Sequence, residues 1–402
     1  MYGPRATQVA RTLGALVPLG WQPTVVCLDP RRGGPNWRDG RDVVLPTGVE
    51  VVRVKSPEEW TLVRALWRLM PALRDRPDPK WVWINRAVAA ATAAASRTKF
   101  DGLVTFAQPW SDHLVGLRVH RATKLPWVAH FSDPWVDDPY LRVSEKRRAM
   151  LRRMEAQVVA HALAIVFVSE ETADLVMAKY PPEWRRKAVV VPHGFSAPPA
   201  AQAAPPARRP GPMRLVHTGR FYDGLRTPLP LLRALAHVNS TEPLAGALDV
   251  TLVGLHTMRY ASDVAVLGLN AFVHLHDRVS NSDAAALASD ADVLLVIDAP
   301  TSIPSPYLPS KLIDYLPLRK TILGITPVEG ASSSLLKRLG GLVAAPDDEA
   351  GIRVAIRDLL RRWREGELEI GPDFDRVAGE YDIARTTTAF SDVLARAFGA
   401  AR

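Results

Sequence analysis

The chain has 402 residues, 47% hydrophobic and 23% charged, a composition that excludes a disordered protein and gives length enough for two hydrophobic cores. Its one cysteine, Cys27, lies in the apolar run Thr24–Leu28, which excludes an intramolecular disulfide and a thiolate metal cluster. With 51 Lys and Arg against 42 Asp and Glu the net charge is +9, which admits an anionic substrate or an anionic membrane surface. Nucleic acid is not expected, because no basic helix with interleaved aromatics occurs.

Met1 and Tyr2 stand directly before Gly3, with a helical pattern over Thr7–Leu16. An α/β half opening this way lacks its first strand, so the sequence predicts either a start placed too late or a first domain without that strand. Apolar runs at Thr24–Leu28, Val49–Val54, Gly102–Phe106, Trp127–Phe131, Ala164–Val168 and Ala188–Val191 predict strands. Helix-length patterns separate several of them: Trp60–Leu73, Trp110–Arg121, Glu145–His161 and Glu171–Lys179. Strands apolar on both faces and alternating with helices predict a parallel sheet covered on both sides.

Residues 197–212 are dominated by proline and alanine and read as a linker. The alternation then restarts. Strands are expected at Met213–His217, Asp249–Val253, Phe272–His276, Val293–Ile297 and Thr321–Thr326. Helices are expected at Leu229–Val238, Met258–Gly268, Ser282–Ser289, Ser310–Leu316, Ala350–Glu365 and Thr387–Phe398. No run approaches the roughly 18–20 apolar residues of a membrane span. The nearest, Ala87–Ala95, is short and flanked by Arg86 and Arg97. No apolar stretch of the signal-peptide kind follows Met1, so a cytoplasmic protein is expected.

Two segments carry chemistry. In the first, strand Met213–His217 runs into a turn containing Gly219, Arg220, Gly224 and Arg226. Glycine lets backbone approach a phosphate, and guanidinium suits phosphate geometry. In the second, Ser310 is the expected N-cap of a helix whose first turn sets Lys311 and Asp314 on one face. That pair suits a nucleoside diphosphate, cation to phosphate and carboxylate to ribose; read alone it is sooner a surface ion pair. His130 and Asp133 end strand Trp127–Phe131, where cleft residues belong, and Trp135 is placed to stack on an acceptor. A core histidine and a turn-forming aspartate are the competing readings of His130 and Asp133.

Taken in order, these segments resemble the retaining glycosyltransferases of the GT-B fold, family-4 type. The resemblance rests on Thr218-Gly219-Arg220 with Arg226 and on Ser310-Lys311-Leu312-Ile313-Asp314-Tyr315-Leu316. It also rests on Ser132-Asp133-Pro134-Trp135, Val168-Ser169-Glu170 and Pro192-His193-Gly194. Asp314 stands for the family's second glutamate, Pro306 occupies the place of its first, and His193 replaces an asparagine. Pro317 and Arg319 replace small residues.

The resemblance implies an α/β GT-B protein, two Rossmann-like domains facing a central cleft. The expected boundaries are an acceptor-side domain 1–196, the linker, a nucleotide-sugar domain 213–375, and helices in 376–402 returning toward the first domain. It implies transfer of a sugar from a nucleoside diphosphate sugar to an acceptor hydroxyl, with retention, without metal and without a bound cofactor. Gly219, Arg220, Arg226, Lys311, Asp314, His193 and Gly3 are the expected donor-binding residues, and Asp133 and Trp135 stand on the acceptor side. Asp133, His130, Arg220 and Lys311 are the catalytic candidates. The acceptor is a sugar, a lipid-linked sugar or a small molecule, in polysaccharide or glycolipid synthesis, with a peripheral contact at the inner membrane face compatible with the charge. The alternatives are a sugar-nucleotide epimerase on the same fold and a non-catalytic nucleotide-sugar-binding scaffold. Asp290-Ala291-Asp292 has the form of a metal-binding pair but ends a helix without further carboxylates, and His274 with His276 lacks a third ligand.

Overall fold

The computed structural model describes residues 4–29, 47–57, 60–70, 74, 76–196, 210–222, 224–277 and 279–399. Gly3 and residues 197–209 of the proline-alanine stretch lie outside them. Two compact units form, Met1–Gly194 with Ile383–Arg402, and Phe195–Asp382.

In the first unit the strands are β1 (Thr24–Leu28), β2 (Glu50–Val54), β3 (Leu103–Phe106), β4 (Trp127–Phe131), β5 (Ala164–Phe167) and β6 (Ala188–Val190). Its helices before Gly194 are α1 (Pro4–Leu16), α2 (Thr61–Leu69), α3 (Ile84–Arg97), α4 (Ser111–Thr123), α5 (Glu145–His161), α6 (Glu170–Met177) and α7 (Pro182–Arg185). In the second unit come β7 (Met213–Thr218), α8 (Leu229–Thr241), β8 (Leu248–Val253), α9 (Ala261–Val266), β9 (Val273–His276), α10 (Asn281–Asp290) and β10 (Val293–Ile297). There follow α11 (Ser310–Tyr315), β11 (Thr321–Ile325), α12 (Ala331–Arg338), β12 (Leu342–Ala344), α13 (Glu349–Glu365) and α14 (Phe374–Gly379). Helix α15 (Ile383–Gly399) completes the first unit.

All pairing between these strands is parallel. In the first unit β1 pairs with β2, and β3-β4-β5-β6 form a four-stranded sheet. Strand period decides what each face meets. Trp127, Ala129 and Phe131 of β4 point into a core with Leu151, Val158 and Met177. Val128 points the other way, to α1 (Val9, Leu13, Leu16) and α15 (Phe390, Val393, Leu394, Phe398). His130 shares that second face.

The second unit is a six-stranded sheet in the order β12-β11-β10-β7-β8-β9. Counted within the unit this is 6-5-4-1-2-3, the Rossmann order, whose winding reverses between β7 and β10. Leu215, Val293, Leu295 and Ile297 feed the core under α8 and α13. Val216, Leu294 and Val296 feed a second core with α11 and α12. Strands β4, β10 and β11 are buried at every position, so they carry no alternation of apolar with polar residues.

Candidate active site

The reversal between β7 and β10 places two carboxyl strand ends side by side, the usual ligand position in an open parallel sheet. After β7 come Gly219 and Arg220; after β10 comes Asp298. Gly254, directly after β8, fixes how close the backbones come: with φ +150, a Cβ there would lie 1.7 Å from the Gly219 carbonyl oxygen. Arg220 is exposed. Arg226 is held by its own loop, since Tyr222 and Arg226 exchange backbone hydrogen bonds at 2.9 and 3.1 Å around Gly224, whose φ is +71. Both guanidinium groups flank the Tyr222 ring, at 5.8 and 5.7 Å from its centroid.

Arg226 Nη2 donates to Asp298 Oδ1 at 2.9 Å. The carboxylate is 5% exposed, and its Oδ2 accepts from Thr326 Oγ1 at 3.2 Å and Ser332 Oγ at 3.1 Å. A buried carboxylate with one cation and two hydroxyls is a fixed anchor for that cation.

Helix α11 is tied to the same strand ends. The Tyr315 hydroxyl, fully buried, accepts from the Thr218 backbone N–H at 2.9 Å and lies 3.0 Å from Thr218 Oγ1. One turn earlier Lys311 Nζ stands 3.9 Å from Asp314 Oδ2, both partly exposed. Lys311 and Asp314 thus share a face as the spacing predicts. Ser310 is not the cap: it is the first helical residue, and Pro309 precedes it in extended conformation without a side-chain cap bond. Proline supplies the extended backbone that a cap residue needs but no acceptor.

In the first unit, His130 is 7% exposed on the face toward α1 and α15. Arg5 Nη2 donates to its Nδ1 at 3.0 Å, and the His193 ring stacks on it at 6.0 Å and 9°. Burial, then Arg5 and neighbouring histidines, hold the His130 imidazole well below its ordinary pKa. It is a neutral acceptor. Burial also lowers Arg5 to about 10, opposed by Asp133 and Asp112. Asp112, in the first turn of α4, is raised well above the usual carboxylate range by burial and by Asp78. Asp133 accepts from Ser132 Oγ at 3.1 Å, and Ser132 also reaches the Ala107 carbonyl at 3.1 Å.

The loop carrying Asp133 is pinned from α5. Glu155, fully buried, accepts the Val136 N–H at 3.0 Å and the Tyr180 hydroxyl at 2.7 Å, and pairs with Lys179 at 2.7 Å. Lys179 in turn pairs with Asp137. Trp135 corrects an expectation. It is 2% exposed, and the Trp110 ring lies parallel to it at 4.9 Å and 2°. Its neighbours are core residues, so no face is open to an acceptor. The residue after a Pro in a tight turn points where packing sends it, and here Trp110 and Phe131 receive it.

Residues 5–194 match the glycosyl transferase 4-like domain family. Over nearly the whole chain the fold is similar to that of a sucrose-phosphate synthase from Thermosynechococcus elongatus (16% identity, TM-score 0.70, 99% of this chain and 94% of that one). It is also similar to a glycosyltransferase from Rickettsia africae (12%, 0.66, 98% and 94%) and to WaaG, a glycosyltransferase involved in lipopolysaccharide biosynthesis (14%, 0.58, 100% and 96%). The chain has the GT-B fold, and its first unit carries a glycosyl transferase 4-like domain. No curated protein matches it in sequence.

The fold brings Gly219, Arg220, Arg226, Lys311 and Asp314 onto one unit, at the strand ends and the helix tied to them. His193, Asp133 and His130 lie in the other, His193 stacked against His130. Sequence reasoning missed Asp298, Tyr315 as a tether, Asp112 and Glu155. Asp298 had a readable signal, being the first polar residue after a fully apolar strand.

The protein should lose stability in mild acid. Burial lowers His217, at the end of β7, to about 4; its Nδ1 meets the Leu295 carbonyl at 2.9 Å. The unfolded chain takes up this proton near pH 6.5 and the folded one only near pH 4, so stability is complete above about 6.5 and declines as pH falls toward 4. About 2 kcal/mol is expected to be lost between about pH 7 and pH 5 from this group. Urea midpoints across that range should fall more steeply for wild type than for His217→Gln; parallel slopes would refute the assignment.

Proposed function

We propose that this protein is a glycosyltransferase that moves a sugar from a nucleoside diphosphate sugar to an acceptor hydroxyl, with the donor bound by the second unit. The observation carrying the reading is the tie of Tyr315 to Thr218. It joins the Gly219–Arg220 turn and the Lys311–Asp314 face at the winding reversal of one sheet.

Cleavage of the donor's anomeric bond leaves negative charge on the diphosphate. Arg220, Arg226 and Lys311 are the cations in reach of that charge, and Asp314 is the acceptor for ribose hydroxyls. Each such cation contributes on the order of 2–4 kcal/mol to lowering the barrier, roughly a hundredfold or more in rate. With three cations on the leaving group, one of them anchored by Asp298, the reading requires no divalent ion there. Retention follows if the departing phosphate takes the acceptor proton on the same face, which needs no strong protein base; the neutral, buried His130 is consistent with that. Asp133 is the acceptor-side candidate. The net charge of +9 supports an acceptor presented at an anionic membrane face, a lipid-linked sugar or growing polysaccharide.

The first experiment is a thermal-shift screen of UDP-, GDP-, dTDP- and ADP-sugars without added metal. A cognate donor at about a hundredfold above its Kd should stabilise by about 2.7 kcal/mol, raising the melting temperature by roughly 5–10 °C. Arg220→Ala/Lys311→Ala should lose that shift. Well-folded protein unshifted by every donor would reject the reading.

A further inference from the structure

We propose that α2 and the basic hollow beside it form a docking surface for an anionic lipid bilayer. This deepens the membrane-face part of the preceding reading but stands on separate observations, and it requires neither donor nor turnover.

Helix α2 has no buried residue. Val63 and Trp67, four apart, are half-buried and make its inward side. Leu62 and Leu69 are 81% and 82% exposed, and Leu66, between them, is exposed as well. Spacings of four and three put these leucines on one stripe. Trp60 and Met70 extend the apolar surface at the two ends, each about half exposed. Of the 14 large hydrophobic side chains exposed among the described residues, five fall within residues 60–70. A soluble helix spends its apolar face on the core; this one turns it outward.

The remaining face is cationic. Arg64 and Arg68 are exposed on the side away from the leucines, and no Asp or Glu occurs from residue 60 to 74. Arg64, Arg68, Arg74 and Lys80, with Trp67, line an open hollow of about 440 Å³. Glu58, Glu59 and Asp75 flank this stretch in sequence and lie outside the described residues; Asp78 is turned to the Ser111 N–H and hydroxyl, at 2.8 Å each. Arg86 adds a further cation, its guanidinium 4.8 Å from the Trp60 ring.

An apolar stripe of leucines with tryptophans at its margin and arginines opposite is the make-up of a helix lying in the plane of a bilayer surface. There the leucines enter the acyl boundary, and the arginines meet lipid phosphates. A bare protein partner would need only the stripe, and a free anion only the hollow. A negatively charged lipid surface uses both, which is what charge and exposure together favour.

The test is flotation of the full chain with vesicles of phosphatidylcholine alone or mixed with phosphatidylglycerol. Binding is expected to the mixed vesicles only, with release at high salt. Arg64→Gln/Arg68→Gln should weaken it about thirtyfold, roughly fivefold per cation. Leu62→Ser/Leu66→Ser/Leu69→Ser should weaken it on the order of tenfold or more. Because these side chains are exposed, both variants should keep the wild-type melting temperature and donor-induced shift, so failure here is distinguishable from failure of the donor site. Wild-type protein that does not float, or floating that survives either variant, would overturn the proposal. So would a wild-type dimer in sedimentation velocity that the leucine variant abolishes, since the stripe would then face a second copy.

Discussion

Asp298→Ala should remove about 2–3 kcal/mol of stability and most donor-induced stabilisation, although Asp298 is not assigned to touch the donor. Three groups converge on this carboxylate: Arg226, Thr326 and Ser332. Removing it leaves the Thr326 hydroxyl in a buried place without this acceptor, at roughly 1–3 kcal/mol, while the Ser332 hydroxyl keeps the Tyr307 carbonyl at 3.0 Å. Arg226 adds less, because its side chain is 27% exposed and can turn to water. The melting temperature should drop by about 4–12 °C. Loss of the anchor also frees Arg226 over many rotamers, so donor affinity should fall with it. Asp298→Asn, which keeps an acceptor oxygen, should recover most of the stability and little of the donor shift. Equal stability and equal donor response in Asp298→Ala would refute the anchoring role.

The second large effect is expected at Glu155, in the other unit. Its side chain is fully buried and serves Val136, Lys179 and Tyr180 at once. Burial raises its carboxyl pKa, with Lys179 opposing. Truncation to alanine deletes one partner of a buried pair and orphans a backbone N–H, which together should cost about 3–5 kcal/mol. Glu155→Gln keeps the oxygen for Tyr180 and should cost less than half of that. Urea unfolding measures both, and a loss below about 1 kcal/mol in Glu155→Ala would overturn the role. Because Val136 follows the loop of Asp133, turnover should fall further than stability alone explains.

The strands were legible because a parallel sheet buries both faces and writes itself as Val/Ile/Leu runs; Val293–Ile297 and Trp127–Phe131 coincide with β10 and β4. Helix α3 was not. Its sequence is largely alanine, which offers no contrast between faces, although helix propensity alone points to it. Helix α12 opens on three consecutive serines after its first alanine, and β12 has only three residues, too few for a period to register. Of the candidate site, the glycine-arginine turn and the Lys311–Asp314 face could be read from local spacing. The carboxylate that holds Arg226 lies 72 positions away and the tyrosine that holds Thr218 lies 97 away, and no local pattern couples them. Trp135 shows the converse limit: an aromatic after a turn looks like a platform until Trp110 is found lying on it.

The return of α15 has a consequence for biosynthesis. The second unit is continuous in sequence, whereas the first draws Phe390, Val393, Leu394 and Phe398 from the last helix into the core it shares with Val9, Leu13 and Val128. On the ribosome the later segment has all its residues once Asp382 has emerged, while the earlier one must wait for α15. Domains ordinarily mature from the amino end. Here the order inverts, and the amino-terminal unit keeps an uncovered apolar face until α15 has emerged.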